Sequence, residues 1–225
     1  MEAININDFN NHKINESEVI KRILGGEKEL YEILVKRNNQ KLYRIIRGYI
    51  KDYAEIEDIM QDSYVKAFTK LYQFKLESTF STWLIRIGIN ESLARLKEKG
   101  RLYHLNEQSY NSKSNTILEI PDSKQLNPQD KMIRNEAKRV LENAIDSLDM
   151  KYKTVYIMKE VEEMSLKEIS ITLDLTVANV KVRVHRSKEM LKEKLYEVAN
   201  DKNIFEFGLN RCDRITNKVM KLICL

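Results

Sequence analysis

The chain has 225 residues, of which 42% are hydrophobic and 32% charged, but only 6 Gly and 2 Pro, too few turn-formers for a many-stranded sandwich or barrel. The length suits one large domain or two of about 100 residues, and the composition reads as mainly helical. Lys and Arg outnumber Asp and Glu by 39 to 34, a net charge of +5, which is a modest excess compatible with a polyanionic partner.

No run approaches the roughly 20 apolar residues of a membrane span. The opening Met-Glu-Ala-Ile-Asn-Ile-Asn-Asp lacks the basic-then-apolar order of an export signal. A soluble, cytoplasmic chain with no membrane insertion is expected. Cys212 and Cys224 have no CxxC spacing and cannot build a disulfide framework. His12, His104 and His185 lie far apart, and HExxH, GxSxG and Gly-rich phosphate-loop patterns are all missing. Neither a metal, a cofactor nor a catalytic set is expected.

Residues 1–15 are polar and Asn-rich and are expected to be disordered. The first helical domain then spans 16–100. Within it Ile56, Ile59, Met60, Tyr64, Ala67, Phe68 and Leu71 recur at helical spacing and predict an inward stripe. The opposite face carries Glu57, Asp58, Gln61 and Asp62. It reads either as a solvated face whose acids suit the helix dipole or as a protein-docking face. After Phe74, a loop from Lys75 to Thr79 leads into a helix from Phe80 to Asn90 in which aromatics, hydroxyls and cations interleave. Trp83 suits a core, as helical aromatics usually do. The same grouping also supplies what an unstacked base requires: a stacking surface, hydrogen-bond partners and a neutralised phosphate.

Both prolines, Pro121 and Pro128, fall in a stretch rich in Asn, Ser, Gln and Asp, which marks 101–130 as a linker. A second domain, 131–197, follows, with a hinge between the two. Its first stripe is Val140, Leu141, Ala144, Ile145 and Leu148, and its expected partner is the 152–162 segment through Val155, Met158 and Val161. Ser165-Leu-Lys-Glu168 matches a capping box and predicts a helix start. That helix carries Leu166, Ile169 and Leu173 and breaks at 174–176 in a turn without glycine. A second helix follows with Val177, Val180, Val184, Ser187, Leu191 and Leu195 inward. Its outward face holds Asn179, Lys181, Arg183, Arg186 and Lys188. This is a helix-turn-helix pattern with phosphate and base ligands on the second helix, the alternative being a solvated basic helix. His185 reads as a surface or phosphate-side residue.

Two blocks together, residues 54–68 with 80–90 and residues 141–195, resemble an extracytoplasmic-function (ECF) sigma factor of the sigma-70 family. The resemblance covers about 17–197, with the second block recognisable by Leu166-Lys-Glu-Ile169 and by Asn179-Val-Lys-Val-Arg-Val-His-Arg186. It implies an all-α chain of two small helical domains, sigma region 2 and sigma region 4, joined by a flexible linker and followed by a C-terminal tail helix. It further implies that Glu57, Asp58, Gln61 and Asp62 dock on RNA polymerase core. Lys75, Ser78, Thr79, Phe80, Thr82, Trp83, Arg86 and Asn90 would read and melt the −10 element, with Arg86, Arg95, Lys97 and Lys99 on phosphates. Asn179, Lys181, Arg183, Arg186 and Lys188 would contact the −35 element. An anti-sigma factor is the further partner that the resemblance implies, with no cofactor.

The chain departs from the family pattern in two places. Asp149 follows Leu148 where a proline is usual. The second helix of the hairpin begins Ala178-Asn-Val-Lys-Val-Arg183 where Gly-Thr-Val-Lys-Ser-Arg is common. The tail, 198–225, has helical periodicity and suits either a helix covering the second domain or a partner contact. A stand-alone helix-turn-helix regulator is the competing reading; it leaves the 80–90 block without a purpose, and it would bind a duplex operator without polymerase.

Overall fold

A computed structural model describes residues 15–105 and 128–199, together with Arg214. The expectations for the N-terminal stretch up to residue 14, for the centre of the linker and for the tail with its two cysteines lie outside the described residues. Among those described, the chain is all helical. The first half holds α1 (Glu16–Leu24), α2 (Tyr31–Arg47), α3 (Tyr53–Thr69) and α4 (Phe80–Leu105). The second half holds α5 (Pro128–Asp146), α6 (Met150–Tyr156), α7 (Leu166–Leu173) and α8 (Val177–Ala199).

Polar side chains set the helix starts by satisfying backbone N–H groups that have no partner within the helix. The Asn15 side chain accepts from the Ser17 amide at the start of α1, and Asp52 accepts from Glu55 at the start of α3. At α4 the Thr79 hydroxyl accepts from the Thr82 amide at 3.2 Å, while Glu16 of α1 accepts from the Phe80 amide at 2.8 Å, so a carboxylate from the first helix fixes the entry of the fourth.

Helices α2, α3 and α4 pack on one another, with α1 against α2. The core between them takes Ile56, Ile59, Tyr64, Ala67 and Leu71 from the expected stripe, with Leu34, Leu42, Ile46, Phe80 and Leu84. Helices α2 and α4 approach so closely that a Cβ on Gly88 would sit 2.7 Å from Leu42 Cδ1. Gly88→Leu is therefore expected to destabilise the first half by about 3 kcal/mol through overpacking, measured as a fall in the urea midpoint of the α1–α4 transition.

In the second half the capping box forms as read: Ser165 Oγ accepts from the Glu168 amide and the Glu168 carboxylate accepts from the Ser165 amide. The turn from α7 to α8 needs one residue in the left-handed region, where glycine is usual. Asp174 takes it, at φ 54°, which non-glycine residues of the Asn and Asp type tolerate best. At Asp149, the position without proline, the backbone is extended and its carbonyl accepts from Tyr152 and Lys153, so α6 starts there all the same.

Three inward expectations fail here. Val161 is 40% exposed, because α6 runs into a π turn at Ile157–Val161; the extra residue rotates the register, so that Met158 is inward as expected while Ile157 is buried in place of Val161. Val177 is 42% exposed, as the first residue of α8 at the mouth of the turn, and Leu141 is 39% exposed one turn before the buried Ala144 and two before Leu148.

Sequence periodicity did not foretell a contact between the two domains. The two halves touch: Ile45 of α2 and Ile85 and Ile89 of α4 share a buried cluster with Val155, Ile157, Met158, Met164, Ile169 and Val180 of the second half. Helix α4 packs on α7. Gly48, at the end of α2, lies under Ile157, whose Cδ1 would be 3.1 Å from an added Cβ.

Candidate nucleic-acid and polymerase interface

Helix α3 presents Glu57, Asp58, Gln61 and Asp62 to solvent, all four exposed, while Ile56, Ile59, Ser63 and Ala67 are buried on its other side. The acidic face is thus a continuous surface backed by a rigid core. The Glu57 charge, together with some burial, pushes the Tyr53 hydroxyl up.

The loop after α3 places Lys75 and Thr79 in solvent and Ser78 half-buried. Two expected contact residues lie beneath the surface. Phe80 is fully buried among Tyr31, Phe74 and Trp83. Thr82 is 2% exposed, and its hydroxyl pairs with that of Thr79 at 2.9 Å. Both belong to the capped first turn of α4, whose inward side the core claims. Trp83 stands between the two roles: it is half-buried, with its ring centroid 5.2 Å from that of Phe74 and 6.0 Å from that of Phe80. Arg86 and Asn90 are exposed one turn apart on α4.

Further along α4, Lys99 bonds Glu55 at 2.5 Å and Arg95 reaches the same carboxylate at 4.0 Å, so α3 holds two of the cations expected on phosphates, while Lys97 is exposed. Sequence reading missed two apolar residues beside the loop. Tyr72 is 72% exposed, and Leu76 is 56% exposed with φ 58°, a conformation uncommon for a branched residue. Neither left a signal in the sequence: Tyr72 sits in a short turn at Leu71–Gln73 near apolar neighbours, and the backbone of Leu76 is not written in its side chain.

On α8 the five expected ligands separate by surroundings. Asn179, Lys181 and Arg186 are exposed. The Arg183 Nε donates to Asn179 Oδ1 at 2.9 Å. Arg186 lies against Tyr152, where its hydrogen bond to the phenol outweighs burial and holds that hydroxyl below its ordinary value. Lys188 is tied to Glu160 at 2.9 Å, which anchors α8 to the π turn. His185 pairs with Glu189 at 3.2 Å on the surface.

The closed arrangement of the two halves brings Arg86 and Asn90 of α4 into one cleft with Arg183 of α8, beside Lys151 and Asp174. Ion pairs ring the contact. Arg44 bonds Glu162 at 2.9 Å, and Arg47 grips Asp146 with two bonds of 3.3 and 3.0 Å, with Lys153 at 3.4 Å and Lys51 at 3.9 Å. Burial pulls the Asp146 carboxyl upward, but the hydrogen bonds from Arg47 and the charges of Arg47, Lys153 and Lys51 outweigh it and hold the group below its ordinary value. Among the described residues no cluster of His, Cys, Asp and Glu could hold a metal ion, and no helix is long and apolar enough to cross a membrane.

Comparison with known proteins matches residues 34–102 to Sigma-70 region 2 and residues 138–191 to Sigma-70, region 4. The chain is 28% identical over 179 residues to the ECF RNA polymerase sigma factor SigW of Bacillus subtilis, covering 80% of this chain and 96% of that protein. It is also 28% identical over 187 residues to the ECF RNA polymerase sigma-E factor of Haemophilus influenzae, covering 81% and 96%. Its fold is similar to that of the sigma factor RpoE in complex with the anti-sigma factor NepR from Bartonella quintana, with a TM-score of 0.58, 19% identity and coverage of 72% and 94%. It is similar too to CnrH in complex with the cytosolic domain of CnrY, with a TM-score of 0.57, 22% identity and coverage of 81% and 97%. With both matched regions in the family's order on one helical chain, the protein belongs to the sigma-70 family, among its extracytoplasmic-function sigma factors.

Proposed function

We propose that this sigma factor, which directs promoter-specific transcription initiation by RNA polymerase, divides the work between residues 16–100 and 131–197. The first domain docks on core through Glu57, Asp58, Gln61 and Asp62, where an acidic face meeting a basic partner gains orientation as well as affinity. It reads and melts the −10 element with Lys75, Ser78, Thr79, Trp83, Arg86 and Asn90, while Phe80 and Thr82 shape that surface from beneath. The second domain sets α8 against the −35 element with Asn179, Lys181, Arg183 and Arg186. The chain itself catalyses no reaction and acts in the cytoplasm; an anti-sigma factor is its regulatory partner, as solved neighbours are held by such proteins.

The observation that carries this reading is the presence, on one chain, of an exposed acidic face on α3 and exposed DNA-type ligands on α4 and α8. It also requires motion. Elements centred near −10 and −35 are about 85 Å apart along B-form DNA at 3.4 Å per base pair. Arg86, Asn90 and Arg183 share one cleft in the closed form, so the two halves separate before both elements are engaged. Once both are on polymerase, two modest contacts act as linked sites.

The test is reconstitution: the purified chain with bacterial core polymerase, followed by gel filtration and transcription of a genomic promoter library. Core binding with promoter-dependent transcripts supports the reading. Tight duplex binding by the chain alone, without core binding, overturns it in favour of a stand-alone regulator. In the same assay Glu57→Lys combined with Asp62→Lys is expected to weaken core binding more than tenfold while leaving the fold intact, since both side chains are exposed.

A further inference from the structure

At about 100° per residue, Val182 lies on the side of α8 opposite the buried Val180 and the half-buried Val184, and it is 50% exposed with Ala178 one turn before it. The middle of the outward face is therefore apolar, and the polar ligands flank it: Lys181 on one side, Asn179 with Arg183 on the other. The Asn179 oxygen already accepts from Arg183 Nε, so this pair presents mainly N–H donors to whatever meets the helix.

We propose that Val182 is a specificity-determining residue that packs on the 5-methyl group of a thymine in the upstream promoter element. The major-groove edge of thymine offers one methyl and one acceptor, O4, and no donor. It is the base edge that matches an exposed valine beside a donor-rich Asn179–Arg183 pair. Cytosine, which presents an N4 amino donor and no methyl there, leaves both the valine and the donors without a partner. Two methyl-bearing surfaces that leave water on contact gain from their shared burial.

The inference rests on the sigma-factor reading of α8. Its test uses holoenzyme reconstituted from core and this chain, on a promoter recovered from the library. Each thymine of the upstream element, on either strand, is replaced singly by deoxyuridine, which removes only the methyl, and transcript yield is compared for the wild type, Val182→Ala and Val182→Thr. One position is expected at which deoxyuridine lowers wild-type yield about fourfold, the loss for about one buried methyl. At that position Val182→Ala should show almost no further loss, and Val182→Thr, which keeps one γ-methyl, should retain most of the sensitivity. Methyl-insensitivity at every thymine, an element without thymine, or undiminished sensitivity in Val182→Ala overturns the proposal. A chain that fails to direct core to any promoter fails earlier, in the wild type, and so is distinguished from failure at Val182.

Discussion

Charge reversal at the contact between the two halves, Arg44→Glu with Arg47→Glu, is expected to shift the equilibrium from the closed to the open form by about thirtyfold. Arg44 and Arg47 reach across to Glu162 and Asp146, and reversal replaces attraction with repulsion on a partly exposed network. Fully buried pairs lose 3–5 kcal/mol when broken; at this exposure about 2 kcal/mol is the fitting discount. The readout is the distance between fluorophores on Val65 of α3 and Tyr196 of α8, both exposed. A lengthened mean distance, restored when Asp146→Arg and Glu162→Arg are added, supports a closed form held by these pairs. Gly48→Leu tests the apolar part separately by wedging against Ile157. Unchanged distances in both variants would mean that the two halves are not held by this contact. Acid acts in the same direction as charge reversal. A carboxyl held below its ordinary value stabilises the contact above that value and loses its effect as pH falls through the lowered one, so the Asp146 contribution is present at neutral pH and is lost as pH falls through the lowered value.

The fold was legible where chemistry is local. The Ser165 to Glu168 box depends on four consecutive residues, and the break at 174–176 is flanked by two clean apolar periods, so both could be read without tertiary information. The α3 stripe was equally plain because its partners lie on neighbouring helices of the same half. What escaped was decided at longer range. Ile45, Ile85 and Ile89 face the second half; nothing in a 3.6-residue period says which core a buried isoleucine joins. The site shows the same division. The exposed acids of α3 follow from the pattern on one helix. Phe80 and Thr82 looked like DNA ligands by residue type but are claimed by the core and by a cap, and Arg95 and Lys99 look free in sequence but are held by Glu55, more than forty residues upstream in the case of Lys99.

Arg86→Ala is expected to cut open-complex yield at the promoter by tenfold or more while leaving core binding at the wild-type level. The guanidinium is exposed on α4, so its removal leaves the fold intact. A charge-assisted hydrogen bond to an opened strand is worth about 1.5–3 kcal/mol, which converts to a loss of about ten- to a hundredfold. Trp83 needs a gentler change, because its ring packs on Phe74 and Phe80 and truncation to Ala would cost about 3 kcal/mol of stability before any effect on DNA. Trp83→Phe keeps the core contact and shrinks the surface on which a base can stack. The measurement is permanganate reactivity of unpaired thymines around −10, with polymerase binding followed by gel filtration on the same samples. Loss of reactivity in Arg86→Ala with core binding intact would assign strand opening to this face of α4. Arg183→Ala, in contrast, should weaken promoter engagement without lowering the opened fraction of bound complexes, because on this reading α8 positions the polymerase and α4 opens the strand. Wild-type reactivity in Arg86→Ala would remove Arg86 from the melting surface.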